Sequence, residues 1–467
     1  MIRQQLDILD DFVQGMQQAL KSCRPGLVSL VTRIQPLDPL SFYAAAGQWF
    51  HGQRLYWSTP DHEFTLVGLG TAVKIESDRD TRFDDVTKEW KHLIANTHIH
   101  TEGEVMGTGP LLLGGFSFDP QKPSSSLWQN YKAASFILPQ FLLTQSKHQS
   151  YLTINAYIHP EYDLPEKIDQ LNRLKERLIT RCMDFSFAQE VHPITLNVFE
   201  PAREEWLRSV KQVIAEIQQG VLQKVVLARR VEVESETPFR PEQILNYLRQ
   251  VQTSSYVFSI EWGENAFVGA TPERLIKKEG SRVLSTCLAG SIKRGQTLEE
   301  DLALSKALLQ DPKNRVEHEI VVRMIKQALG DLCTRVEAPD QPIIYKTKQI
   351  QHLYTPVRGL AKDNISLLKM VEALHPTPAL GGYPREEAVR RIRELEGMDR
   401  GWYAAPIGWL DRQGNGEFVV AIRSALIRHR QATLFAGCGI VEDSDPQSEY
   451  EETQMKLKPM LSALGGH

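Results

Sequence analysis

The sequence predicts an α+β fold: large antiparallel or mixed β-sheets packed together, with helices on the outside. Three observations lead there. Strand candidates follow one another as hairpins as often as they alternate with helices, which argues against a purely parallel sheet. The helical stretches carry their apolar residues on one face, as helices do when they pack on a sheet. At 467 residues, with 42% apolar and 24% charged side chains, the chain can form two or three ordinary domains or one large intertwined one.

Taken in order, the first element is an acidic amphipathic helix to about Leu20. Strand candidates follow at 27–31, around Tyr56 and Trp57, and at 64–68. A strand around Gly114-Gly115-Phe116-Ser117-Phe118 enters a Pro/Ser-rich loop at 119–126, the best candidate boundary in this half. Residues 152–158 read as a strand and 168–180 as a charged helix. Trp206, Val210, Val213 and Ile217 recur at helical spacing over 202–218, and Gly220 stops that helix. A strand follows at once, Leu222-Gln223-Lys224-Val225-Val226-Leu227-Ala228-Arg229. Asp311-Pro312 caps a helix running to about Leu329, because a carboxylate cap followed by proline suits a first turn. After the turn Gly414-Asn415-Gly416, alternation over 418–423 predicts a strand that includes Arg423. Asp445-Pro446 opens a last helix, which Pro459 is expected to kink or shorten. The organisation implied is a region 1–200 contributing to the same fold as a catalytic region 201–467.

The bulk numbers exclude several function classes. Net charge is −4 and no basic stripe stands out, against a nucleic-acid surface. Cys23, Cys182, Cys287, Cys333 and Cys438 are scattered without a CxxC pair, as in reduced cytosolic proteins. The N-terminus has no signal-peptide core and the longest apolar runs, such as 110–115, are too short to span a bilayer. No membrane partner and a cytoplasmic location are therefore expected.

Five features carry chemistry. Lys224 shares a strand face with Val226 and Ala228; if that face is buried, loss of hydration favours the neutral amine, a base for water. An edge lysine that reaches solvent is the alternative. Glu273, in the turn Thr271-Pro272-Glu273-Arg274, is a proton donor if shielded, or a simple partner of Arg274. Glu449, Glu452 and Lys456 project from one side of the last helix. With Glu317 from another helix, those carboxylates suit magnesium, a hard cation that keeps several waters; two solvated acidic faces are the alternative. Glu319 points about 200° away from Glu317. Arg423, with the backbone amides of Gly437-Cys438-Gly439, can hold a carboxylate, although such glycines are also found in plain turns.

Together these segments resemble the chorismate-utilising enzymes, the group of anthranilate synthase component I, aminodeoxychorismate synthase, salicylate synthase and isochorismate synthase. The resemblance covers roughly 200–465. Its motifs are the Lys224 strand, Gly269 to Leu275, Leu288-Ala289-Gly290-Ser291, Glu317-His318, Gln351-His352-Leu353, His375 to Pro384, Ile422 to Leu426 and Gly437 to Lys456. The first 200 residues match more loosely, mainly at 114–118. Three positions point to one member. Ammonia-using members have glutamine where Lys224 stands, aminodeoxychorismate synthases have a nucleophilic lysine at Ala289, and salicylate synthases tend to threonine at Ala379. Ala379-Leu380 is the isochorismate synthase pattern, and the long first region looks menaquinone-type.

The resemblance implies a mechanism. Mg²⁺, held by Glu317 and Glu452 with Glu449 acting through water, binds the ring carboxylate of chorismate. Arg423, Tyr403 and the amides near Gly437 and Gly439 hold the enolpyruvyl carboxylate. Lys224 deprotonates water for attack at C2, Glu273 protonates the departing C4 hydroxyl, His352 contacts the reacting region and Lys456 balances charge. The reaction is reversible, needs no amidotransferase subunit and runs on a monomer. The competing readings are a salicylate synthase, a siderophore-type isochorismate synthase, an ammonia-dependent synthase subunit and a non-catalytic chorismate binder.

Overall fold

A computed structural model describes residues 26–101, 103–159, 163–187, 195–348 and 350–465. The helix expected before Leu20 lies outside them. The described strands form two sheets, one of thirteen strands and one of ten, so the α+β expectation holds. Pairing is antiparallel apart from Gly26–Ile34 with Thr97–Thr101. In the larger sheet, Tyr256–Trp262 pairs with Arg54–Ser58. In the smaller, Pro406–Asp411 pairs with Leu111–Phe116. Strands on either side of residue 200 therefore lie side by side in both sheets. The 119–126 loop is no boundary either, since Leu111–Phe116 before it pairs with Ala134–Leu138 after it.

Side chains alternate between two cores along the larger sheet. Leu27, Leu66 and Phe267 join a core shared with Leu113, Phe136, Trp409 and Phe418 of the smaller sheet. Their neighbours Val28, Val67 and Val268 face the other way, into a core with Leu40, Leu171, Leu248 and Met460 from helices. This period-two alternation, apolar on both faces, marks strands buried on both sides.

Helix starts follow local chemistry. Asp311 Oδ1 accepts the Asn314 N–H at 2.7 Å at the head of Pro312–Gly330. Asp445 Oδ1 accepts the Ser448 N–H at 2.8 Å at the head of Pro446–Ala463. Pro459 does not shorten the last helix, which runs on to Ala463: Leu457, Pro459, Met460 and Ala463 are all buried, and tertiary packing holds the final turn. The strand expected over 418–423 stops at Val420. Ala421 to Arg423 cross from the smaller sheet to the larger, and Ser424–Arg428 then pairs with Asn265–Thr271. Alternation did not reveal the crossing, since the chain leaves one buried sheet directly for another.

Candidate active site

That crossing opens onto a cavity of about 260 Å³. Every residue named for the site from sequence lines it except Lys224. Lys224 is fully buried, at 0% exposure. Its Nζ donates to Glu317 Oε1 at 2.6 Å. The sequence leaves open a buried lysine and an edge lysine that reaches solvent, and the structure shows the buried one; the Glu317 partner is a contact the sequence does not show. Gly439, which lines the cavity, packs against this pair. A Cβ there would lie 2.8 Å from Lys224 Cε and 2.9 Å from Glu317 Oε1, so glycine leaves the Lys224–Glu317 pair its room.

Gly437 and Gly439 lie mid-strand, in Gln431–Ile440, and not in a turn. Their register decides where their amides point. Gly439 pairs with Val226 and Gly437 with Ala228. The Val226 N–H goes to Gly381 O and the Ala228 N–H to Glu396, both away from Gln431–Ile440. In an antiparallel ladder such a residue sits in a non-hydrogen-bonded pair, and its partner's N–H also points outward. On that outward side Ser424–Arg428 pairs only as far as Leu434. The Gly437 and Gly439 N–H groups therefore leave the sheet on its open edge.

Arg423 sits at the crossing with φ of 51°, an uncommon left-handed conformation for a residue with a side chain. Its carbonyl accepts the Ala270 N–H at 3.1 Å, which fixes the crossing. Among the described residues its guanidinium has no hydrogen-bond or ion-pair partner, and burial lowers its pKa to about 10. Tyr403 stacks on Phe435, ring centroids 5.1 Å apart. His352 Nδ1 is 2.9 Å from the Ser291 hydroxyl, and its buried Nε2 has no partner among the described residues. Burial, then the charges of Arg423 and Lys456, push its pKa down to about 3, so it meets a ligand as neutral imidazole. Ala379 and Leu380 give the cavity an apolar side.

The carboxylates each hold a lysine. Glu317 holds Lys224; Lys313 Nζ donates to Glu449 Oε1 at 3.2 Å; Lys456 Nζ lies 2.6 Å from Glu452 Oε1. Ser444 also donates to Glu449 Oε1, at 2.7 Å, and Lys456 to the Gly437 carbonyl at 2.9 Å. Burial works against the charges of Glu452 and Lys456, but each outweighs it for the other, holding Glu452 below and Lys456 above the usual range. Glu319 faces elsewhere, in an exposed pair with Arg315. Among the described residues no three acidic, imidazole or thiol groups close on one point as a ready cage. The donor set is nonetheless all carboxylate oxygen, balanced by lysines and opening on one cavity. That fits a hard cation completed by water and an anionic ligand.

Glu273 is the outlier in charge. It is 5% exposed, and burial raises its pKa to about 7 despite the opposing pull of Lys224, Lys456 and Arg423. The folded chain thus keeps a proton that the unfolded chain releases between pH 4.5 and about 7. Stability from this group falls as pH rises through that window. Glu273→Gln should therefore be as stable as wild type at pH 4 and more stable at pH 9, by about 3 kcal/mol. Denaturant melts at the two pH values check this; an equal difference at both contradicts it.

Sequence inspection missed Lys313, Asn314, Glu396 and Arg400. Asn314 Oδ1 accepts the Ser291 N–H at 3.1 Å and thereby holds the 289–291 wall. Lys313 was findable, one helical turn before Glu317.

A family model described as chorismate binding enzyme matches residues 14–465. The chain belongs to the chorismate-binding enzymes. Among curated members of that family, it is 44% identical to isochorismate synthase MenF of Bacillus subtilis, over 94% of each chain. It is 37% identical to the salicylate biosynthesis isochorismate synthase of Pseudomonas aeruginosa, over 97% of this chain and 94% of that one. A structure of MenF from Escherichia coli, described as menaquinone-specific, superposes with a TM-score of 0.78 at 23% identity, covering 97% of this chain and 100% of that one. Anthranilate synthase component I from Streptococcus pneumoniae follows at 0.70 and 23%, covering 85% and 92%. These two structural likenesses establish the shared fold. Among the described residues no helix is long and apolar enough to cross a membrane.

Proposed function

We propose that the chain is an isochorismate synthase, an isomerase converting chorismate to isochorismate reversibly, and that its product feeds menaquinone formation. The observation that carries this is the cavity itself. It joins a carboxyl that titrates near neutrality, an unpaired guanidinium and three carboxylates, within a chain 44% identical to an isochorismate synthase. The 44% identity to MenF, against 37% to the salicylate-biosynthesis enzyme, supports the menaquinone assignment.

Arg423, Tyr403 and the outward amides of Gly437 and Gly439 hold the enolpyruvyl carboxylate. Glu317 and Glu452 would hold Mg²⁺, with Glu449 through water. When bound, that ion supplies positive charge to the ring carboxylate as electrons shift through the ring. Lys224 takes a proton from water beside Gly439 as the oxygen attacks C2. Glu273 gives its proton to the C4 hydroxyl, which leaves as water. Neutral His352 borders the reacting region and Lys456 balances Glu452. The roles of acid and base exchange in reverse.

The test is incubation with chorismate, with and without magnesium, followed by chromatography and a pyruvate assay. A magnesium-dependent isomer without pyruvate is expected. Salicylate with pyruvate would show that Ala379-Leu380 does not decide the product, and an amination stimulated by an amidotransferase would contradict the Lys224 assignment. Glu452→Gln should shift the magnesium concentration for half-maximal rate upward by about 100-fold, of the order seen when one ligand to a metal is weakened. An unchanged dependence, or full activity in EDTA, would remove the metal from the account.

A further inference from the structure

We propose that the buried ion pair Glu396–Arg400 is a positioning device: it stands in for a strand beside Lys224–Ser235 and fixes that strand against the 379–380 wall. This deepens the isochorismate synthase reading and rests on it.

One edge of Lys224–Ser235 is covered by Gln431–Ile440 from Val225 to Glu234. Among the described residues, the other edge is covered only at its ends. Gly382–Tyr383 pairs at Lys224 and Val225, and Leu196–Phe199 pairs from Glu232 onward. In the gap between them, buried peptide groups need partners. The Val226 carbonyl accepts Arg400 Nη2 at 2.8 Å. The Ala228 N–H donates to Glu396 Oε1 at 2.7 Å. A guanidinium and a carboxylate thus continue the ladder with the donors and acceptors a strand would offer.

The same guanidinium reaches the opposite wall. Arg400 Nη1 donates to the Leu380 carbonyl at 2.8 Å, and Nε to Glu396 Oε2 at 2.8 Å. Its Cζ lies 4.2 Å from the Phe118 ring centre. Arg400 lines the cavity, and an arginine there would ordinarily be taken for an anion ligand. Four of its five N–H groups, however, are already engaged by Glu396, Val226 and Leu380, whereas those of Arg423 have no protein partner among the described residues. Side-chain exposures of 3% and 1% make the pair costly to desolvate and a poor choice for stability alone. What it gains is geometry: it ties the strand of Lys224, two residues from that lysine, to Leu380.

Steady-state kinetics of Glu396→Gln, Arg400→Lys and the double variant test this, with backbone hydrogen exchange over 224–229. Each single variant should lower kcat by about 10–100-fold, the cost of a misplacement on the scale of an ångström. KM for chorismate should stay within about threefold, and the double variant should be little worse than either single one. Exchange at Ala228 should speed up with the rest of the strand protected. Should Arg400→Lys fail to fold, Glu396→Gln carries the same expectation, since it keeps the side chain's volume and loses the charge that holds both Arg400 and the Ala228 N–H. A raised KM at normal kcat in Arg400→Lys, with Glu396→Gln unaffected, would make Arg400 a substrate ligand and overturn the proposal. Normal kcat in both variants beside an active wild type would overturn it too. A wild type that leaves chorismate unchanged would instead overturn the functional reading, and the catalytic role of the pair with it.

Discussion

Lys224→Met should lose about 10³-fold or more in kcat while chorismate still binds, because a positioned base contributes 10²–10⁴-fold and the groups assigned to the substrate carboxylates lie elsewhere. Methionine keeps most of the volume, which matters at a site with 0% exposure. The variant leaves Glu317 without its lysine. Glu317 retains 17% side-chain exposure and faces the cavity, so water compensates part of that loss. Stability should fall by less than the 3–5 kcal/mol typical of breaking a fully buried pair. Single-turnover rates and equilibrium binding separate the two effects. Magnesium provides a further control. If Lys224 served only to hold Glu317 in place, excess magnesium would restore the rate; as the base, it leaves a deficit that no magnesium concentration repairs. Full activity in Lys224→Met would sink the assignment.

Glu273→Gln should cost about 10²–10⁴-fold in the forward direction, and the pH profile should identify the reason. Burial raises the Glu273 pKa to about 7. Proton donation to the C4 hydroxyl needs the neutral acid, so forward kcat/KM from this group falls as pH rises through about 7. The reverse reaction uses the same residue as a base, but the isomerisation exchanges no proton with solvent, so the ratio of the two kcat/KM values is fixed at the equilibrium constant and the reverse limb falls over the same range. The same limb in the two directions, absent in Glu273→Gln, is the expected pattern. A variant that slows the reaction but keeps that limb would show that another group titrates. The buried carboxyl that costs stability at high pH is the one the chemistry uses, a conflict expected at functional sites.

Local chemistry was legible in the sequence and long-range pairing was not. Asp311-Pro312 and Asp445-Pro446 announce helix starts because a cap depends on its own next three residues. The period of Trp206, Val210, Val213 and Ile217 placed the helix Arg203–Gln218 and its buried face. The Lys224–Glu317 bond joins residues 93 apart, and no spacing rule reaches that far. Its absence from the sequence picture is why Lys224 was expected to be a bare amine and Glu317 a free ligand. Arg423 was read as strand because Ala421 and Ile422 keep the apolar alternation going while the chain changes sheets. The sequence offers the Gly437 and Gly439 amides as carboxylate donors with a plain turn as the alternative; in the fold they are made available by register and by the early end of the neighbouring strand. Glu396 and Arg400 have helical i, i+4 spacing, but their function lies in the backbone groups of Val226, Ala228 and Leu380, which only the fold brings near.

The most direct measurement of the central claim is turnover of chorismate in ¹⁸O-enriched water, with mass spectrometry of the product. Water activated by Lys224 attacks C2 while the C4 hydroxyl leaves on the proton from Glu273. The isomer should therefore carry one solvent oxygen, at C2, and none of the original C4 oxygen. An unlabelled isomer would mean that the hydroxyl migrates within the substrate, and would contradict the roles given to both Lys224 and Glu273.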